Sequence, residues 1–174
     1  MRKGSLKRLR IFLSALLIAL VAADQLSKWL AERYLPFQEA VDIVPFFSLY
    51  LTYNTGVAFS MLASFGRWGL VLLTATITLF MIYLWSRVRP EQTLTRIGFA
   101  LVVAGAVSNL VDRTLFGHVI DYFLFHTENW AFAVFNLADS FITVGAIAII
   151  ADELFNWRKT ADTEQPKSGG SQHG

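Results

Sequence analysis

The sequence predicts an all-α integral membrane protein with four transmembrane helices and a small extracytoplasmic β platform. The hydrophobic fraction is 55% and the charged fraction 16%, whereas soluble domains average roughly 45–50% and about 25%. Four apolar segments approach the roughly 20 residues that a helix needs to cross a bilayer. A stretch between the first two segments is rich in aromatic residues and has the partial alternation of a strand.

Apolar runs place the four spans at about 11–33, 67–86, 93–113 and 132–155, within one integral membrane domain over 1–157. In span 3, Gly98 and Gly105 are seven residues apart, which permits close helix packing. A signal peptide cleaved after Ala23 is an alternative for the first run. We favour a retained span, since the apolar stretch is longer than a signal needs and three more spans follow. Residues 158–174 are polar and are predicted to form a disordered cytoplasmic tail.

The β platform is predicted in the outer β/loop element, residues 35–66. Pro36 and Pro45 interrupt helix there, and the sequence FFSLYLTY (46–53) favours a strand. Asn54-Thr55-Gly56 then has the composition of a turn.

The distribution of cations predicts the orientation in the membrane. The N-terminus, the connection around 87–96 and the tail hold eleven of the fifteen Lys and Arg residues. The positive-inside rule therefore predicts that both termini are cytoplasmic. In that topology the polar residues within or beside the spans converge on the outer face, where a site is expected.

Asp139 is the most unusual of these residues, because it is the one ionisable side chain between Trp130 and Ala151. A carboxylate inside a membrane helix costs about 2.5–3.5 kcal/mol. Asp121 lies in the short connection before this segment. We predict that the two aspartates meet at one membrane face as a catalytic pair. Two carboxyl groups held close together share a proton, so that one activates water while the other protonates a leaving group. The alternative is that Asp139 caps a helix or pairs with Arg113, while Asp121 is a solvated loop acid.

Helical spacing groups the other polar residues. Asn109, Asp112 and Arg113 share one face, where amides would position a substrate and the arginine would bind phosphate or orient an acid. Interhelical hydrogen bonding is the alternative, and for the asparagines it is favoured. Asp24 and Lys28 have the i, i+4 spacing of an ion pair, for which a structural role is favoured.

Several kinds of site are not expected from this sequence. There is no cysteine, and neither HExxH nor GxSxG occurs. His118 and His126 flank Asp121, but their spacing matches no common ligand pattern, so neither a metal nor another cofactor is expected. The net charge of +2 leaves no basic face for nucleic acid.

Three motifs resemble those of the lipoprotein signal peptidase (signal peptidase II) family: TYNTGVAFS (52–60), SNLVDR with GHVIDY (108–122), and FNLADS (135–140). The resemblance implies a bacterial inner-membrane aspartyl endopeptidase that removes the signal peptide from prolipoproteins. Such enzymes cut on the N-terminal side of a diacylglyceryl-modified lipobox cysteine. The implied catalytic pair is Asp121 and Asp139, and the implied supporting residues are Asp24, Lys28, Asn54, Gly56, Asn109, Arg113, Asn136 and Ala138. The expected partners are lipidated prolipoproteins and membrane lipid, and a monomer is expected.

Two other functions stay open as alternatives. A small transporter or proton-conducting subunit would use the outer acids to bind a cation, and polar residues would then continue to the cytoplasmic side. The apolar inner halves of spans 1 and 4 count against that path. A membrane scaffold without chemistry is the third class, and the paired acids count against it.

Overall fold

The computed structural model describes residues 3–56 and 66–164. Its elements in chain order are α1 (Lys3–Tyr34), β1 (Ala40–Val44), β2 (Phe47–Asn54), α2 (Gly66–Arg87), α3 (Thr93–Leu115), β3 (Val119–Thr127), β4 (Trp130–Ala131) and α4 (Leu137–Glu164). The strands form one antiparallel sheet in the order β1-β2-β3-β4. Residues 57–65, which include the end of the first motif and lie near the end of the 35–66 element, are outside the described residues.

Three helices in this part of the chain are long and apolar enough to cross a membrane: Lys7–Tyr34, Trp68–Arg87 and Thr93–Leu115. They correspond to predicted spans 1 to 3. Helix α4 has 28 residues, but its uncharged stretch, Ser140–Ala151, is shorter than the roughly 20 residues of a crossing. The crossing by α4 therefore stays a prediction.

Helices α3 and α4 pack through glycines, as the spacing of Gly98 and Gly105 predicted. A Cβ atom added at Gly105 would lie 2.3 Å from the backbone oxygen of Ala138, and one added at Gly145 would lie 2.5 Å from that of Gly98. No side chain fits at either place. The start of α4 is therefore held directly against the backbone of α3.

The sheet is larger than predicted, because β3 and β4 come from a segment that was interpreted as a connection. Asp121 lies on strand β3, opposite Thr52 of β2, so the expectation of a loop acid is wrong. Apolar and aromatic residues of the β3 sequence VIDYFLFHT favour a strand. Ile120 and Tyr122 pack with Leu51 and Ala31, which joins the sheet to α1.

Helix α4 begins at Leu137, five residues later than the predicted start of span 4. Before it, Phe135 exchanges backbone hydrogen bonds with Phe123 of 3.0 and 2.8 Å, which hold the chain extended beside β3. Asp139 therefore lies in the first turn of the helix and not about two turns from its start, as a span beginning at 132 would have placed it. At its other end α4 continues to Glu164, past the predicted boundary at 157, because residues 158–165 contain no proline or glycine. Residues 165–174 of the predicted tail lie outside the described residues.

Candidate active site

The structure brings the two predicted acids to one place, although they come from different elements. Asp121 is supplied by β3 and is 1% exposed, and Asp139 is half-buried in the first turn of α4. Asn136 connects them. Its Nδ2 donates to Asp121 Oδ1 at 2.6 Å, and its backbone N–H donates to Asp139 Oδ2 at 3.2 Å.

Asn136 and Asp139 also form the N-terminal cap of α4. The side-chain Oδ1 of Asn136 accepts the backbone N–H of Asp139 at 2.9 Å, while the Asp139 carboxylate accepts the backbone N–H of Asn136. This reciprocal arrangement has the geometry of a capping box, with aspartate in the position that glutamate commonly takes. Asp139 thus has the capping role that was considered as an alternative, and the same contact brings it next to Asn136 and Asp121.

Asn54 holds Asp121 from the opposite strand. Its Nδ2 donates to Asp121 Oδ2 at 3.0 Å, and its Oδ1 accepts the backbone N–H of Gly56 at 2.9 Å. Gly56 has a φ of +80°, a conformation that favours glycine. Since a backbone N–H can only donate, it fixes which end of the Asn54 amide faces Asp121.

Asn109 holds Asp139 in the same way from α3. Its Nδ2 donates to Asp139 Oδ1 at 2.8 Å, and its Oδ1 accepts from the Lys28 ammonium at 2.9 Å. The ammonium group can only donate, so the orientation of this amide is fixed too. Together the three asparagines place one N–H donor on each of the four carboxylate oxygens. One lone pair on each oxygen is then left for a proton, water or substrate.

Beneath the pair lies a buried ion cluster. Lys28 is 1% exposed and lies 2.7 Å from the carboxylates of both Asp24 and Asp112, which are fully buried. The predicted Asp24–Lys28 pair is confirmed, and Asp112 extends it. Asp24 also accepts the backbone N–H of Ala138 at 2.7 Å, which ties α1 to the first turn of α4.

Two residues of this cluster were missed by sequence reasoning. Ser108 donates to Asp24 at 2.7 Å, and Gln25 donates to Asp112 at 2.7 Å and to the Ser108 hydroxyl at 2.9 Å. Ser108 precedes Asp112 by four residues, so helical spacing could have identified it. Gln25 had no such signal, because its partners are 83 and 87 residues away in the sequence.

The pKa of Asp121 is raised to about 6, mainly by burial and also by the negative charge of Asp139. Hydrogen bonds from Asn54 and Asn136 and the charge of Lys28 act in the opposite direction. An acid with a pKa near neutral pH is suited to both taking and returning a proton. Arg113 is half-buried at the end of α3, where the charges of Asp139, Asp121 and Asp112 act on it.

The two histidines lie apart from this network. The centre of the His118 ring lies 4.2 Å from that of the tilted Tyr53 ring, and His126 shares a 2.6 Å hydrogen bond with the hydroxyl of Ser48. Within residues 3–56 and 66–164, no three His, Cys, Asp or Glu side chains are grouped so that they could hold a metal ion.

Comparison with known proteins identifies the family. The family model for Signal peptidase (SPase) II matches residues 16–155. The lipoprotein signal peptidase of Sinorhizobium fredii is 57% identical over 145 residues, 83% of this chain and 87% of that protein. The chain belongs to the signal peptidase II family. It is therefore an aspartic-type peptidase of lipoprotein processing and a multi-pass membrane protein.

Other relatives and solved structures agree with this assignment. The lipoprotein signal peptidase of Mesorhizobium japonicum is 51% identical over 87% of this chain and 90% of its own length. A bacterial membrane enzyme solved at 1.9 Å superimposes with a TM-score of 0.73 at 25% identity, covering 82% of this chain and 92% of that one. A second, solved at 2.3 Å, gives a TM-score of 0.69 at 24% identity over 92% and 94%, and shows the shared fold.

Proposed function

We propose that the chain is an intramembrane aspartyl endopeptidase that cuts prolipoproteins on the N-terminal side of a diacylglyceryl-modified cysteine. The proposal depends mainly on one observation. Asp121 and Asp139 are joined through Asn136, and all four of their carboxylate oxygens accept hydrogen bonds from amide groups. Signal-peptide removal from prolipoproteins is the activity to which the family assignment points.

The chemistry is general acid–base hydrolysis by the pair, which shares one proton in the resting state. The ionised carboxyl group takes a proton from water as the water oxygen attacks the scissile carbonyl carbon. The protonated carboxyl group then donates to the amide nitrogen, and the carbon–nitrogen bond breaks. The signal peptide leaves with a new carboxyl end, and the lipid-modified cysteine leaves with a free amino group. No covalent enzyme intermediate is required.

The surrounding residues position the two acids. Lys28 orients the Asn109 amide, and Asp24 anchors the first turn of α4 through Ala138. Asn54 and Gly56, which the family resemblance implies as supporting residues, have contacts that orient Asp121. Arg113 stabilises the negative charge of the pair from the end of α3.

The buried interior of α3 argues against a transport pathway. Between Thr95 and Ser108 its buried residues are all apolar or glycine: Gly98, Phe99, Ala100, Val102, Val103, Ala104 and Gly105. A proton or ion relay would need polar side chains along this length. The polar cluster instead stops at one end of the helix, as expected for a site at one membrane face.

We further propose that α4 is a fourth span, that the protein works as a monomer, and that both termini are cytoplasmic with the active site toward the outer face. The distribution of cations supports this orientation. Reporter fusions at Gly4, Pro90 and Gly170 should report cytoplasm, and a fusion at Glu128 should report the outside. Mature protein that began at Asp24 would contradict a retained first span.

The direct test is to incubate the purified protein with a lipidated precursor peptide and weigh the products. The expected masses are those of a free signal peptide and of a peptide that begins with the lipid-modified cysteine. A precursor with an unmodified cysteine is the control and should stay uncut. Cleavage at another bond, or equal cleavage of both precursors, would contradict the proposed specificity.

A further inference from the structure

An apolar groove of about 740 Å³ begins at Asp139 and is not used by the mechanism above. One wall is a face of α4 formed by Asp139, Ser140, Thr143 and Val144. The other wall is formed by residues of β3, β4 and the segment before α4: Phe125, Trp130, Phe132, Ala133, Val134 and Phe135. The volume is within the range of about 300–1,000 Å³ that is usual for small-molecule sites.

The two hydroxyl groups of the α4 wall donate their hydrogens within the helix. The Ser140 hydroxyl donates to the backbone oxygen of Asn136 at 3.2 Å, and the Thr143 hydroxyl donates to that of Asp139 at 2.9 Å. These hydroxyls therefore offer no donor to the C=O groups of a peptide backbone in the groove, and leaving such groups unpaired is costly. A hydrocarbon chain has no such groups, so the lining suits an acyl chain better.

The aromatic wall is built as a unit and is open on one side. The Phe135 ring lies 5.7 Å from that of Phe125 and 6.2 Å from that of Phe132. Trp130 is nevertheless 59% exposed and Phe132 52% exposed. Exposed apolar surface of this kind marks a place where an apolar ligand or membrane binds.

We propose that this groove binds an acyl chain of the substrate's diacylglyceryl group. The inference rests on the proposed function, in which the lipid is attached to the cysteine that supplies the nitrogen of the broken bond. The lipid is therefore attached only a few bonds from the nitrogen of the broken bond, so it lies close to the two acids during the reaction. Asp139 forms part of the wall of this groove. Cavities of about 380 and 280 Å³ elsewhere in the described residues contain neither acid.

Filling the groove tests the proposal. Thr143→Trp and Val144→Trp each place a large side chain on the α4 wall of the groove. Both positions are exposed, so the new ring fits without disturbing the packing of the helices. Leu79→Trp on α2, 67% exposed, is the matched control away from the groove. The substrates are two otherwise identical precursor peptides, one with two palmitoyl chains and one with two butanoyl chains, in detergent micelles.

Each buried methylene is worth about fourfold in binding, so displacing three or four of them should lower kcat/KM roughly 100-fold for the palmitoyl substrate. Most of these methylenes are missing from the butanoyl substrate, so its kcat/KM should change by no more than about threefold. Leu79→Trp should change neither value. Phe132→Ala removes part of the opposite wall without adding bulk, and it should reduce the preference for the longer chain.

The outcomes separate this proposal from the proposed function. If the unmodified enzyme cleaves neither substrate, the proposed function itself fails. If it cleaves both, and the tryptophan variants lower both rates equally, the groove contacts the peptide and not the lipid. If all variants keep the preference of the unmodified enzyme for the longer chain, the acyl chains stay in bulk lipid, and the proposal is overturned.

Discussion

Two neighbouring groups of carboxylates in this protein have opposite surroundings. Asp24 and Asp112 each lie 2.7 Å from the ammonium group of Lys28, in a cluster that is almost completely buried. Asp121 and Asp139 instead have an amide donor on each carboxylate oxygen. A direct ion pair strongly favours the charged form of an acid, whereas neutral amides favour it more weakly.

The difference shows how the fold separates support from chemistry. The lysine cluster holds three helices together, through Asp24 and Lys28 of α1, Asp112 of α3 and the backbone of Ala138 in α4. The amide-held pair is fixed in position with less bias toward one charge state. A group that must both take and return a proton needs that freedom.

The largest expected effect comes from removing the chemistry of the pair without changing its shape. Asp121→Asn and Asp139→Asn should each lower turnover by roughly 10²–10⁴-fold, because an amide neither takes a proton from water nor returns one. The double variant should be little worse than either single one, since the pair acts as a unit. Single-turnover cleavage of a lipidated precursor measures this.

The control for these variants is the binding of substrate, measured at equilibrium, which should be retained in all three proteins. Near-normal turnover by either single variant would exclude that acid from the reaction. Addition of a chelator to the unmodified enzyme should leave the rate unchanged. Loss of activity in chelator, restored by zinc, would instead point to His118 and His126.

The second effect comes from breaking the lysine cluster. Lys28→Met would leave Asp24 and Asp112 buried without their cation, and removing one partner of a buried ion pair costs about 3–5 kcal/mol. The free energy of unfolding in detergent should fall by that amount. Lys7→Met, at an exposed position of α1, is the matched control and should unfold like the original protein. Equal stability of the two variants would show that the cluster is not structural.

The third effect is a gain in stability where function is lost. Burial raises the pKa of Asp121 to about 6 in the folded protein, above its ordinary value of 3.8 in an unfolded chain. Between these values the unfolded chain releases its proton first, so this group lowers stability as pH rises and the cost is complete above pH 6. At about 1.4 kcal/mol per pKa unit, Asp121→Asn should be more stable than the original protein at pH 7 by up to about 3 kcal/mol.

Unfolding curves at several pH values test this. The advantage of Asp121→Asn should shrink as pH falls and should disappear below about pH 3, where the carboxyl group is protonated in both states. Glu128→Gln, at an exposed position, controls for the loss of one negative charge. A stability difference between Asp121→Asn and the original protein that does not change with pH would contradict the raised pKa.

Local patterns in the sequence predicted much of this arrangement. Three long apolar helices, the Asp24–Lys28 pair and the glycine contact of α3 all follow from helical spacing and composition. The family motifs brought Asp121 and Asp139 together as an expectation before any geometry was known. These features depend on neighbours within one or two helical turns, or on a resemblance.

The features that escaped prediction depend on distant partners. Strand β3 was missed, although its composition favours a strand, because its apolar residues lie close to the expected fourth span and its partner β2 is distant in the sequence. Gln25 likewise acquires its role when α1 packs against α3. The start of α4 was different, since Asn136 followed three residues later by an acid resembles a helix-start pattern that could have been recognised.

The smallest effect concerns the orientation of Asp121 by Asn54. Asn54→Ala removes one of the two amide donors to this acid but leaves the Asn136 contact, so the loss is that of one hydrogen bond, about 0.5–1.5 kcal/mol. Turnover should fall by about tenfold at most while the protein accumulates normally in membranes. The missing donor stabilised the ionised form, so the pKa of Asp121 should rise and the acid limb of the rate profile should move to higher pH.

The exposed neighbour provides the control, because Thr55→Ala shortens a side chain in the same turn without touching either acid. A pH profile for each variant separates three roles for Asn54: orienting Asp121, binding substrate and shaping the turn. If it only bound substrate, Asn54→Ala would raise KM and leave the acid limb of kcat in place. If it only shaped the turn, both variants would accumulate poorly and keep their specific activity. A shifted acid limb in Asn54→Ala alone is the result that places this asparagine in the control of the pair.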